Sequence, residues 1–332
     1  MKIGFVFSGY GSQWVGMGKE LYDQSRSAQE LFEEAANCLD TNFVKLCFAS
    51  SDAELSKIEN AYVALYVVSI AIAKKLEEQG IVPTKVAGYD VGEYAALTVA
   101  GSLSIPDALY LLKKYSSFYQ QFLDQRPAKG MRVVGLDCAG LEKLCKKVSK
   151  KEEVAAVAVV EGAEHFVVVA TEEAAVALKE LLGQLSYVTV TTAPVGGGFH
   201  APVMDEIVKQ MKMYLEKVDF KESSIPFVGA VIGQPLQEGD MVRAALMQHI
   251  HAPTQWATVQ EAFEECDYIL EIGPGTALQK GFTDRYPHKK IFAINSLDDI
   301  NAVVGFDDIQ EIIKKDLARV QEAADKDKKE DI

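Results

Sequence analysis

The chain has 332 residues, 48% hydrophobic and 25% charged, which suits one large domain with an insert or two domains. Its net charge of −14 excludes nucleic acid or an anionic membrane as the main partner, because both require a basic face. Five cysteines, with no C-x-x-C pair among them, point to reduced thiols in a cytoplasmic compartment.

The N-terminus, MKIGFVFSG, enters a strand-like segment directly and predicts no secretory leader. Residues 2–7 read as a buried strand, and Gly9, Gly11, Gly16 and Gly18 behind it mark a turn and a helix start. Helical spacing follows over 19–38 and 61–79. The apolar run Ala61–Ala73 is too short to span a bilayer and reads as a buried helix. Val82–Gly88 is a short apolar strand, followed by helices from about Gly92 to Ala100 and Ile105 to Leu123. Strand, turn and helix alternate, as in an α/β domain with a mostly parallel sheet.

The middle of the chain changes character. Met131–Leu136, Val154–Val160, Phe166–Ala170 and Tyr187–Thr191 are β-branched runs, with helical stretches at Ala139–Lys150 and Glu172–Leu182 between them. That β-α-β-β-α-β order predicts a ferredoxin-like subdomain inserted in the larger one. The α/β pattern resumes from about Val195, with further strands at Tyr268–Gly273 and Lys290–Ile294. The expected division is 1–127 and 195–312 for the large α/β part and 128–194 for the small one. Residues 313–332 lose their apolar stripe and read as a solvated, charged tail.

Gly88-Tyr89-Asp90-Val91-Gly92 has the outline of a nucleophile elbow, G-x-S-x-G, a sharp strand-to-helix turn that holds up a serine. Its central residue here is Asp90. One reading makes Asp90 an N-cap that satisfies the N–H groups of the following helix. The other makes it a nucleophile, ionised without help from a base and favoured by the helix N-terminus by about 0.3–1 kcal/mol. Attack by a carboxylate on a thioester gives a mixed anhydride, which is uphill and easily hydrolysed.

Five segments together resemble the malonyl-CoA:acyl-carrier-protein transacylase family, which includes acyltransferase domains of fatty-acid and polyketide synthases. They are FVFSGYGSQWVGMGKELY (5–22), VAGYDVGEYAALTVAGSLSIPDAL (86–109), KGMRVVGL (129–136), GFHAPVM (198–204) and LEIGPGTAL (270–278). The resemblance implies an α/β-hydrolase-like parallel-sheet domain with an inserted ferredoxin-like small subdomain. It implies transfer of an acyl group from coenzyme A, through an elbow serine and a histidine base, to a carrier-protein thiol. No metal or other cofactor is implied.

Carried over residue by residue, the base falls on His200 and the nucleophile on Asp90. The residue before the nucleophile, normally histidine, is Tyr89, and the residue after it is Val91. Tyr10 stands for the glutamine near the oxyanion hole, Tyr62 for a second pocket glutamine, and Tyr115 for the arginine that grips malonyl's carboxylate. The small-subdomain motif falls on Gly162, Ala163, Glu164 and Phe166. The scaffold glycines are kept, while the departures cluster on substrate-pocket positions and mostly run from polar to aromatic.

Two function classes stay open. One is a family member of fatty-acid or polyketide synthesis without normal transacylase activity, kept to bind a carrier protein or synthase component. In it an acyl-CoA is a doubtful ligand. The other is an active acyltransferase or acyl hydrolase using Asp90 and His200. Tyr10, Tyr62, Tyr89 and Tyr115 are expected to converge around Asp90 and His200, with a tyrosine hydroxyl donating to the carboxylate. His165, His249, His251 and His288 lack metal-ligand spacing and read as core or surface residues. Lys146, Lys147, Lys150 and Lys151 read as a solvated helix face, or as a contact for an acidic carrier protein.

Overall fold

The structure, a computed structural model, describes residues 1–151, 153–193, 199–311 and 313–314. The predicted tail beyond residue 314, Gly198 of the GFHAPVM segment and the expected boundary at 194/195 lie outside the described residues.

Among the described residues ten strands follow in chain order: β1 (Ile3–Phe7), β2 (Lys85–Gly88), β3 (Ala128–Val134), β4 (Ala155–Gly162), β5 (His165–Thr171), β6 (Thr189–Ala193), β7 (Phe227–Val228), β8 (Pro235–Leu236), β9 (Tyr268–Ile272) and β10 (Lys290–Ile294). Six form one sheet in the order β10-β9-β1-β2-β7-β8. It is parallel from β10 to β7 and closes with the antiparallel pair β7–β8. Every residue of β1, β2 and β9 is buried, which suits continuous apolar runs in a sheet covered on both faces.

The other four strands form an antiparallel sheet in the order β4-β5-β3-β6. With the helices Cys138–Val148 and Glu172–Gly183 this is the ferredoxin-like arrangement. Each sheet has its own core. Val133, Leu141, Phe166, Val168, Leu178 and Leu182 fill the smaller one, each contributing about 1.5–3 kcal/mol of apolar burial.

The apolar run read as one buried helix lies within Ile58–Glu78, which is buried on nearly every side. Among the described residues no helix is long and apolar enough to cross a membrane. One expected helix is two. The stretch over 19–38 breaks into Lys19–Gln24 and Arg26–Leu39 because Ser25 takes an extended backbone, φ −124° and ψ 119°. The Ser25 hydroxyl accepts from Ala28 N–H and so caps the second helix. Strands β7 and β8, two residues each, are too short to show a period and were not expected.

Candidate active site

β2 ends at Gly88, and the helix Gly92–Val99 begins four residues later. The turn between them needs its glycines. A Cβ on Gly88 would stand 2.0 Å from Glu93 N, and one on Gly92 would stand 2.3 Å from Phe7 O. Strand and helix therefore meet at backbone contact. Asp90, at the bend, has φ 53°, a left-handed conformation that aspartate tolerates better than most residues.

That conformation corrects the expected capping role. Val91 is the N-cap of the helix, and no side chain caps it. The Asp90 side chain leans instead toward the loop after β1, where a Cβ on Gly9 would meet Asp90 Cβ at 2.9 Å. There Asp90 Oδ2 accepts the Tyr10 backbone N–H at 3.1 Å. The Val91 backbone N–H also favours the carboxylate. The carboxylate is buried, at 5% exposure. Burial pushes its pKa up to about 7, against the downward pull of the Tyr10 N–H, the His249 charge and the Val91 N–H.

His200 also has a left-handed backbone, φ 43°, and is buried. Its Nδ1 donates to the His249 backbone O at 2.5 Å. A carbonyl oxygen only accepts, so Nδ1 carries a proton and Nε2 is the basic nitrogen. The rings of His200 and His249 stack with centroids 4.2 Å apart and planes at 4°.

A buried network missed by sequence reasoning supports this pair. His249 Nδ1 meets Glu93 Oε2 at 2.5 Å, and His249 Nε2 meets Thr254 Oγ1 at 2.6 Å. The second Glu93 oxygen accepts Ala230 N–H at 2.9 Å. Glu93 and Thr254 are 1% exposed and His249 5%. Burial pulls the His249 pKa down, but the Glu93 charge and hydrogen bond and the Asp90 charge outweigh it, and the net direction is up. Thr254 also carries the network to the small sheet, because Thr254 N donates to Ala158 O and Val160 N donates to Thr254 O.

Asp90, Val91, Tyr94, Tyr115, His200, Leu246, His249 and Ile250 line a cavity of about 10 Å³, space for no more than one water molecule. Tyrosine rings lie behind it: Tyr10–Tyr62 centroids are 6.2 Å apart, Tyr62–Tyr115 5.7 Å and Tyr115–Tyr119 6.2 Å. Burial and then the Asp90 charge push the hydroxyls of Tyr10, Tyr62 and Tyr115 upward, so all three sense the carboxylate.

Three expectations for these positions need correction. Tyr89 turns away and packs edge-on against Trp256, with centroids 5.0 Å apart. Phe166 lies in the small-sheet core rather than on the cavity, because its place in β5 points it between that sheet and its helices. The Tyr10 bond to Asp90 comes from the backbone, and the Tyr10 hydroxyl donates to Ser56 O at 2.7 Å. Lys114, beside the arginine position at Tyr115, lies over the Tyr214 ring at 5.4 Å. Among the described residues no three His, Cys, Asp or Glu side chains are grouped to hold a metal ion.

Comparison with known proteins places this geometry. The acyl transferase domain family matches residues 4–297. The malonyl CoA-acyl carrier protein transacylase of Bacillus subtilis (strain 168) is 31% identical over 279 residues, 83% of this chain and 88% of that protein. The crystal structure of FabD from Acinetobacter baumannii superposes with a TM-score of 0.84 at 26% identity, covering 91% of this chain and 97% of that one. A malonyl-transacylase solved in complex with a type II PKS acyl-carrier protein superposes with a TM-score of 0.85 at 23% identity, covering 92% of this chain and 99% of that one.

Proposed function

We propose that this chain, which belongs to the acyl transferase domain family, forms no acyl-enzyme and serves fatty-acid or polyketide synthesis by binding a partner. The observation that carries this reading is the position of the Asp90 carboxylate. It sits at the elbow and accepts the Tyr10 backbone N–H at 3.1 Å. An oxyanion would need such donors free and aimed at it. Here a side chain of the protein holds one of them, and the Val91 N–H favours the same carboxylate.

Three further features support the reading. The nucleophile position, Asp90, offers no hydroxyl or thiol to acylate. The cavity beside it, about 10 Å³, is far smaller than an acyl group needs. Tyr115, at the arginine position, is buried against Tyr62 and Tyr119 and brings no positive charge to a malonyl carboxylate.

The partner in this reading is an acyl carrier protein or a synthase component. Support comes from the carrier-protein transacylases among the relatives, one of them solved with its carrier protein. The division proposed with this reading keeps 1–127 and 195–312 for the large part and 128–194 for the small one. Five free cysteines support a cytoplasmic setting.

A second reading, acyl hydrolysis by Asp90 and His200, rests on one observation. A carboxyl at about 7 lies in the range of a general acid or base near neutral pH. One experiment separates the two. The protein is incubated with malonyl-CoA and acetyl-CoA, and intact mass and free CoA are followed. The binding-protein reading expects neither an adduct nor CoA release above background. An adduct mapped to the elbow overturns it, and CoA release without an adduct favours hydrolysis.

A further inference from the structure

We propose that His249 is a buried cation that denies the neighbouring His200 ring a second proton. His249 is then a positioning residue that disables the family's base position independently of Asp90. This deepens the reading above and rests on it for its functional meaning.

Geometry and the surrounding charges together favour a proton on both nitrogens of His249. Its Nδ1 meets the Glu93 carboxylate at 2.5 Å, and its Nε2 meets the Thr254 hydroxyl at 2.6 Å. Imidazolium donates both bonds, and the hydroxyl can orient to receive one. The group ends the helix Gly239–His249, where the helix dipole favours a cation. Asp90, when ionised, pushes in the same direction. A buried carboxylate such as Glu93 also requires a compensating partner, and His249 is the titratable side chain that its hydrogen bonds reach.

The consequence for His200 follows from stacking. The two rings lie parallel at 4.2 Å, and the His249 carbonyl fixes the His200 proton on Nδ1. A second proton on His200 would place two cations face to face in a buried site. Among the described residues, the titratable groups facing this pair are Asp90, Glu93, Tyr94 and Tyr115, from the elbow and the helices beside it. The next histidine along the chain, His251, has its own partner in Asp205, with Nδ1 2.7 Å from Asp205 Oδ1. A general base must end its step protonated. His200 cannot do so while His249 is charged.

The test is ¹⁵N NMR of the imidazole side chains in the full chain, which has only five histidines to assign. Near pH 7 the native protein is expected to show His249 protonated at both nitrogens and His200 at Nδ1 alone, and to keep that pattern down to about pH 6. In His249→Gln, His200 is expected to gain its second proton within that range. Glu93→Gln, which removes the counter-charge but keeps a hydrogen-bonding group, is expected to release the second proton of His249. A merely structural role for His249 would leave the His200 protonation state unmoved in both variants, and that result overturns the proposal. A doubly protonated His200 beside a neutral His249 in the native protein also overturns it. The native spectra and Glu93→Gln decide the matter even if His249→Gln does not fold. Acylation by malonyl-CoA is read by mass, so failure of the functional reading and failure of this inference are told apart.

Discussion

The Asp90 carboxylate lies 3.1 Å from the Tyr10 backbone N–H, so the strand loop and the elbow are joined by the side chain at the nucleophile position. A serine there would leave the N–H facing the cavity. The elbow is thus closed from within by a carboxyl group that the protein carries itself, in a site with almost no room for water.

That burial makes stability depend on pH in an unusual direction for an aspartate. Asp90 binds its proton more tightly in the folded state, at about 7, than at its ordinary 3.8. Its contribution to stability is therefore fully present below about 3.8, falls as pH rises through 7, and is absent above. The span corresponds to roughly 4 kcal/mol. Asp90→Asn, a neutral isostere, is expected to melt several degrees above the native protein near pH 8.5. The gap should close as pH falls below 7. Thermal melts of both proteins across that range check it, and a gap that does not vary with pH would contradict the assignment.

Glu93 holds together three groups: the His249 ring, the Ala230 N–H and, through His249 and Thr254, the strand β4. Glu93→Ala removes the partner of His249 Nδ1 and of the buried Ala230 N–H. The expected cost is about 3–5 kcal/mol, as for breaking a buried pair by removing one partner. Urea unfolding reads it. A change within 0.5 kcal/mol, roughly that of a surface substitution, would show that the network is not structural.

Gly88→Ala is expected to cost at or above roughly 3 kcal/mol, at the upper end of overpacking penalties. The added Cβ would lie 2.0 Å from Glu93 N, a backbone atom that cannot step aside alone. By contrast Gly183 has nothing within 4 Å of a built Cβ. Gly183→Ala should therefore leave stability nearly unchanged. Paired chemical unfolding of the two variants checks both statements.

Much of this was legible in the sequence, for physical reasons that differ by element. The β-branched runs of the small sheet and the apolar run at β2 declare themselves by composition, and Lys290–Ile294 matches β10 residue for residue. The elbow is legible because its glycines are sterically forced. The partner of Asp90 was not, because it is a backbone N–H 80 positions away and has no sequence signature. Histidine spacing does not reveal the His249 network, because its carboxylate partner Glu93 lies 156 positions away in the chain. One signal was present. Glu93 is the only charged residue in GEYAALTV, and a lone carboxylate in an apolar helix demands a buried partner. Phe166 was misplaced because a strand residue faces whichever side the pleat gives it, and motif alignment across a turn does not fix that side.

The remaining prediction separates the missing nucleophile from the rebuilt surroundings. Asp90→Ser restores a hydroxyl at the elbow and frees the Tyr10 N–H. If Asp90 were the sole obstacle, His200 would activate the new hydroxyl and malonyl transfer to a carrier protein would return. It is not expected to return. Tyr115 remains buried at 4% exposure against Tyr62 and Tyr119, offering at best one neutral hydrogen bond where malonyl needs a charged pair. The ring chain from Tyr10 to Tyr119 still fills the space behind the elbow. His249, held by Glu93, still faces His200. Groups that act as a unit are not recovered one at a time, so Asp90→Ser combined with Tyr10→Gln, Tyr115→Arg and His249→Gln should exceed every single change. Transfer of radiolabelled malonyl to a carrier protein by each variant gives the answer. Efficient transfer by Asp90→Ser alone would mean that the tyrosines tolerate malonyl, and the binding-protein reading would lose its main support.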